Sequence, residues 1–281
     1  MLKLASDKNL SLSELAILYE SARTGLDAAS ILKKMEDIVL IIKRSIEEGL
    51  KGTHYKDRIL GTQSPLIGKA IGKGLIKKTI NSSIIACTAA IMEVKSSMGV
   101  IVAAPTAGSC GVVGGALFGS AQEEAFDLEA MSRAFLAAGI AGVFIADKYT
   151  FSAEEGGCQV EAGSASAMAA AGLVELNGGT AKQATDAASL ALQNQLGLIC
   201  DPVAARVEVP CLGKNIMAAS NAYNAYVMAL AGFESVIPYS EVIDAMRSIG
   251  EALPASLCCT GLGGLAQTPA AKRLHKKFNV S

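Results

Sequence analysis

A chain of 281 residues with 51% apolar composition can bury a sizeable core as one large domain or two small ones. Twenty-five Lys and Arg against 26 Asp and Glu leave a formal net charge of −1, so there is no basic field to hold a nucleic-acid backbone or an anionic membrane surface. The opening stretch, MLKLASDKNLSLSELA, places Lys3, Asp7 and Lys8 ahead of any apolar block, which is not the pattern of a secretory signal and points to a cytoplasmic chain.

Helical periodicity runs through nearly the whole sequence, while alternating strand patterns are almost absent, and the expected fold is all-α. Ser11 with Glu14 forms a capping box for a helix near 12–22, and a second amphipathic helix is expected from Asp27 to Glu48. The stretch 48–65, EGLKGTHYKDRILGTQSP, breaks the pattern, so residues 1–52 read as a helical pair packed on a main body of 53–281, or as part of one continuous domain. Further helices are expected near 66–78, 81–97, 127–147, 162–176, 181–198, 214–232 and 240–252, with a capping box at Thr180 and Gln183 and an N-cap at Ser240. Two stretches, AAPTAGSCGVVGG and LCCTGLGGLAQTP, read as long Gly-rich loops.

The mean hydropathy of +0.38 and the uncharged runs at 96–122, 187–200, 215–233 and 252–271 raise the question of a membrane protein. Those runs are filled with Ala, Gly, Ser, Thr and Asn, PTAGS at 105–109 would break a spanning helix, and there is no Trp for an interfacial belt. The expectation is therefore a tightly packed helical protein outside the membrane. A helical membrane or scaffold protein with structural cysteines is the reading from a different class.

Seven cysteines at irregular spacing argue against a disulfide framework in such a chain. Cys158 follows two glycines at the start of a helix, Cys200 lies where Pro202 stops one, and Cys211 precedes the next. Thiols at helix boundaries can converge on one point, with backbone N–H groups aimed there too, as sulfur ligands require. Their spacing matches neither structural zinc pairs nor the ferredoxin run, so three buried apolar thiols are an equal reading of the residues. Cys87 sits in the middle of a helix and reads as core. Cys110 is ambiguous, and adjacent Cys258 and Cys259 are not expected to point into one site.

The loop APTAGSCGVVGGAL can present backbone N–H groups, including that of Gly108, and the Thr106 and Ser109 hydroxyls to a carboxylate or phosphate, or can be a tight turn between packed helices. The chain has two histidines: His275, in the basic tail KRLHKKF, reads as a solvated surface residue, and His54 lies in a loop.

Three stretches, VAAPTAGSCGVVGGAL, SAEEGGCQVEAGSASAMAAAGLVELNGG and GLICDPVAARVEVPCLGKNIMA, strongly resemble the iron–sulfur-dependent L-serine dehydratases, in length the separate α chain of the two-subunit form. The resemblance covers about residues 60–281 and implies that Cys158, Cys200 and Cys211 hold a [4Fe-4S] cluster leaving one iron without a protein thiolate. It further implies substrate contacts at Thr106, Gly108, Ser109, Lys214 and Asn215, L-serine as substrate, and pyruvate and ammonia as products. The family's basic histidine lies in a segment absent here, so a separate β chain is expected to supply the base within a higher oligomer, with His54 as an internal alternative. Two departures stand out. Ala107 occupies a position where related sequences often carry Asn, and the tail after GGLA has no cysteine. A dehydratase of another small hydroxy acid remains the second enzymatic reading, because no amino-group pocket is visible in the sequence.

Overall fold

The structure, a computed structural model, describes residues 8–121 and 126–278; residues 1–7 of the expected N-terminal pair lie outside it. Among the described residues there are twelve α-helices and no strand beyond one isolated bridge between Cys200 and Cys258. They are α1 (Leu12–Thr24), α2 (Ala28–Leu50), α3 (Ser64–Gly72), α4 (Ile80–Ser96), α5 (Cys110–Ala121), α6 (Leu128–Ala146), α7 (Ala153–Gly156), α8 (Ser164–Leu176), α9 (Ala181–Gln193), α10 (Cys211–Leu230), α11 (Tyr239–Ala252) and α12 (Pro269–Lys277).

Local chemistry sets several of these boundaries. Ser11 Oγ accepts the Glu14 N–H at 3.3 Å while the Glu14 carboxylate accepts the Ser11 N–H at 2.8 Å, so α1 opens with two of its orphan donors satisfied. The same reciprocal pair forms at Thr180 and Gln183 for α9. Helix α3 ends before the expected Lys78 because Gly74, at φ +68°, turns the chain left-handed and lets Leu75 N–H reach back to Ala70 O at 3.0 Å. Pro238 rather than Ser240 takes the N-cap position of α11, with no side-chain cap.

Helix α8 is the axis of the fold. Ala165, Ala167, Ala169, Ala170, Ala171 and Leu173 along it are fully buried, and it packs against α5, α6, α9 and α10. Small side chains on all sides let these neighbours approach closely. Leu12, Leu15, Val39 and Ile42 of the first two helices belong to the same apolar cluster as Leu117, Ile145, Leu173 and Ile243. Helix α6 is the one described helix long and apolar enough to cross a membrane, and most of its apolar window is buried inside the protein.

Of the two stretches expected as long loops, the first is largely helical and the second keeps mostly turns and bends. Cys110–Ala121 forms α5, and the segment around Cys258 carries short 3₁₀ turns at Ala255–Leu257 and Gly264–Gln267. Four glycines in α5 explain the first difference: they are helix-weakening by propensity, yet they form the seam on which α4 lies. A Cβ on Gly115 would sit 2.0 Å from Thr88 Oγ1, and one on Gly119 would sit 2.5 Å from the Ile84 Cα. Backbone cannot rotate away as a side chain can, so Gly119→Ala should lose far more to overpacking than the ~1 kcal/mol that Ala gains as a helix former. The expected net effect is a destabilisation of about 1–3 kcal/mol, read as a lower urea midpoint at unchanged slope. The second unexpected helix, α12, docks on the turn at Val203–Ala205, where Ala271 packs with Val203 and Ala204.

Candidate functional site

Three chain segments distant in sequence are stitched together by main-chain bonds. Gln159 N–H donates to Leu198 O at 3.0 Å, Cys200 N–H to Leu257 O at 2.8 Å, and Cys259 N–H to Cys200 O at 2.8 Å. Cys158 follows Gly157, which has a φ of +72°; a Cβ at that position would meet Leu253 Cδ1 at 2.8 Å and Leu198 O at 2.9 Å, so only glycine fits. After Cys158 the chain makes a π-helical turn, Gln159–Gly163, before α8 begins, a local irregularity frequent at functional sites. Cys211 is the first residue of α10, three positions before the expected start.

Cys158, Cys200 and Cys211 are all buried, at 6%, 5% and 9% exposure. The Cys200 thiol makes side-chain contact with both Cys158 and Cys259; those two contacts push the Cys200 pKa well up, while contact with Cys200 draws Cys158 and Cys259 down. Burial pushes Cys211 up to about 12, reinforced by the Cys158 charge and opposed by Lys95 and Lys214. Cys87 lies buried within α4, and burial raises it too to about 12. Cys110 opens α5 with its thiol 3.8 Å from Met92 Sδ in the core. Among the described residues no three His, Cys, Asp or Glu side chains close on one point as a single metal ion would need.

Cys259 joins the thiols although adjacent cysteines are not expected to share a site. The expectation holds for the pair: Cys258 Sγ faces Glu155 O at 3.9 Å while Cys259 faces Cys200. Cys259 stands at φ +62°, in a left-handed turn directly after the bridge at Cys258, and the two side chains part there. No sequence signal distinguishes which of the two faces the other thiols.

The Thr106 loop is a capped 3₁₀ turn. Thr106 Oγ1 accepts the Ser109 N–H at 3.3 Å and donates to Glu161 Oε1 at 2.6 Å, and Ser109, fully buried, serves the turn through its hydroxyl. A Cβ on Gly108 would lie 2.7 Å from Glu161 Oε1, so the loop backbone rests on that carboxylate. Burial raises the Glu161 pKa, opposed by the Thr106 hydrogen bond and by the charges of Lys95 and Lys214.

Lys214 and Asn215 come to the same region and are held by the chain itself. Lys214 Nζ donates to Ile199 O at 2.6 Å and to Asp201 Oδ1 at 2.8 Å, bracketing Cys200. Asn215 Nδ2 donates to Gly108 O and to Cys211 O, both at 2.9 Å, and its Oδ1 accepts the Gly111 N–H at 3.2 Å. It ties the Thr106 loop to the Cys211 helix. Glu208, buried beside that helix, accepts N–H groups of Ile59 and Leu60 at 3.0 Å each and so anchors the 53–63 loop. His54 is exposed on that loop. His275 is not a free surface residue: its Nε2 accepts the Ala204 N–H at 2.9 Å and docks α12.

This all-α chain gathers buried thiols beside a capped small-residue turn, with a half-buried carboxylate between them. The chain belongs to the serine dehydratase alpha chain family, whose pattern it matches over residues 7–266. It is 40% identical to the probable L-serine dehydratase alpha chain of Bacillus subtilis (strain 168), over 99% of this chain and 93% of that protein. It is 36% identical to the L-serine dehydratase alpha chain of Peptoniphilus asaccharolyticus, over 99% and 96%. A match of 39% to L-serine dehydratase 1 of Escherichia coli (strain K12) covers 63% of this chain and 39% of that longer protein. The family match begins at residue 7 and so takes in the first helical pair, beyond the 60–281 span of the sequence motifs.

Proposed function

We propose that this chain is the α subunit of an L-serine dehydratase, forming pyruvate and ammonia, in which Cys158, Cys200 and Cys211 hold a [4Fe-4S] cluster and a β chain supplies the base. The observation that carries this reading is the approach of the Cys158, Cys200 and Cys211 segments to one another beside the Thr106 turn, in a chain of this family. The donor chemistry fits: a thiol set without histidine suits iron–sulfur binding, and hard cations would need oxygen ligands.

When bound, a cluster with one iron free of protein thiolate supplies a Lewis acid for the serine hydroxyl. The chain's own residues do the rest of the positioning. Lys214, through Ile199 O and Asp201, fixes the Cys200 segment; Asn215 fixes the Thr106 turn relative to Cys211. The Thr106 and Ser109 N–H groups are spent within the turn, which leaves the N–H groups of Ala107 and Gly108 as the ones that would orient a substrate carboxylate. Removal of the Cα proton needs a group titrating near working pH, which histidine provides and which we assign to the β chain. The α chain works with it in a higher oligomer in the cytoplasm, without nucleic acid or membrane as partner.

The test is anaerobic purification: a brown protein with iron and sulfide at about four each per chain supports the reading, and a colourless, iron-free protein after anaerobic reconstitution overturns it. Activity of the assembled enzyme should fall in air and return after treatment with ferrous iron and a thiol under argon, since an iron lacking thiolate is open to oxidants. Activity unchanged by hours of exposure to air would contradict an open iron.

A further inference from the structure

Glu161 is a half-buried carboxylate that forms no salt bridge among the described residues. Its Oε1 is held by the Thr106 hydroxyl at 2.6 Å and by the close approach of Gly108; among the described residues its Oε2 accepts no hydrogen bond. The two lysines within electrostatic reach are committed elsewhere, Lys95 Nζ to Val207 O at 2.5 Å and Lys214 Nζ to Ile199 O and Asp201. Glu154 adds a second negative charge to its surroundings, and the thiols of Cys158 and Cys211 lie within the same field. A carboxylate taken out of water in such company is costly unless a positive group meets it. Thr106 cannot relieve it further, because its single proton is already given to Oε1.

We propose that Glu161 is the residue that recognises the α-ammonium group of the substrate, accepting it at Oε2 while Thr106 fixes Oε1. This rests on the dehydratase reading above and adds to it what separates an amino-acid substrate from a hydroxy acid. The arrangement is ordered. Thr106 orients the carboxylate, the glycine at 108 lets the loop lie against it, and the π-helical turn carries Glu161 from the Cys158 end of the site toward the loop. An ammonium group brings three donors and a full charge to the unoccupied oxygen, and a hydroxyl in its place brings one donor and none of the charge.

The test uses the assembled, cluster-loaded αβ enzyme under argon, with wild-type, Glu161→Gln and Glu161→Asp chains matched for iron content and helicity. Steady-state rates are measured with L-serine, and inhibition is measured with glycerate, the same skeleton with a hydroxyl for the ammonium, and with L-alanine, which keeps the ammonium. In Glu161→Gln the KM for L-serine and the inhibition constant of L-alanine should rise together by roughly 10- to 100-fold, the scale of a lost charged hydrogen bond, with kcat changing less. Inhibition by glycerate should not weaken, and Glu161→Asp should recover part of the loss. An unchanged KM, or an equal weakening of glycerate and L-alanine, overturns the assignment and makes Glu161 a structural support of the loop. A wild-type assembly that holds its cluster and does not deaminate L-serine overturns the dehydratase reading itself, and this inference with it.

Discussion

Adding the β chain to this chain, both anaerobic and with iron content matched, is expected to raise pyruvate formation from L-serine by at least about 100-fold over the α chain alone, the usual scale of a general base. The structure gives this expectation its reason. The two histidines are an exposed His54 on the loop anchored by Glu208 and a His275 whose ring nitrogen is spent on Ala204 N–H. Glu161 is the carboxylate on which the Thr106 turn rests, and the proposal above gives its second oxygen to the substrate ammonium rather than to the Cα proton. The measurement is pyruvate release by α alone, β alone and the mixture. Full turnover from α alone would refute the two-chain assignment and would make His54→Ala the next variant to assay.

Each of Cys158→Ser, Cys200→Ser and Cys211→Ser is expected to bring iron from about four per chain to below about one after anaerobic reconstitution, since a serine hydroxyl is a weak substitute for thiolate on iron. Serine matches cysteine in shape, and each of the three sits at a helix or turn boundary, so the fold should survive and the loss should be confined to metal. Cys87→Ala is the control. Its thiol is buried within α4, so the variant should lose about 1 kcal/mol of stability to the small cavity and retain its iron. Iron and sulfide analysis with visible absorption separates the outcomes, and any serine variant with undiminished iron removes that residue from the ligand set.

What could be seen in the sequence was whatever is decided within a few residues. The Ser11–Glu14 and Thr180–Gln183 boxes are local hydrogen-bond exchanges, and both form as expected. Helix α5 is decided by tertiary contact: Gly115 and Gly119 are poor helix formers in isolation and necessary where α4 crosses. Helix α12 hid behind its basic composition, because its docking depends on Ala271 meeting Val203 and Ala204 from far along the chain. The site divides in the same way. Cys158, Cys200 and Cys211 stood out by their placement at element ends, while Cys259 and Glu161 carry no local signature and become visible only through Cys200 and Thr106. Lys214 and Asn215 are brought to the site, with their polar atoms holding main chain together rather than pointing free.

The main-chain stitches that join Cys158's neighbour to Leu198, and Cys200 to Leu257 and Cys259, have a temporal meaning. A ribosome delivers the chain from its N-terminus at about 5–20 residues per second, so the residue carrying the first thiol emerges seconds before its partners exist. Contacts this far apart in sequence close only after the intervening chain has been ordered, because the entropy of the large loop is lost before any bond rewards it. The thiols therefore meet late, on a body already built around α8, and a growing or C-terminally truncated polypeptide presents isolated sulfurs rather than a shared site. On the proposed reading, loading of a cluster would belong after release from the ribosome, as a step performed on a nearly finished molecule.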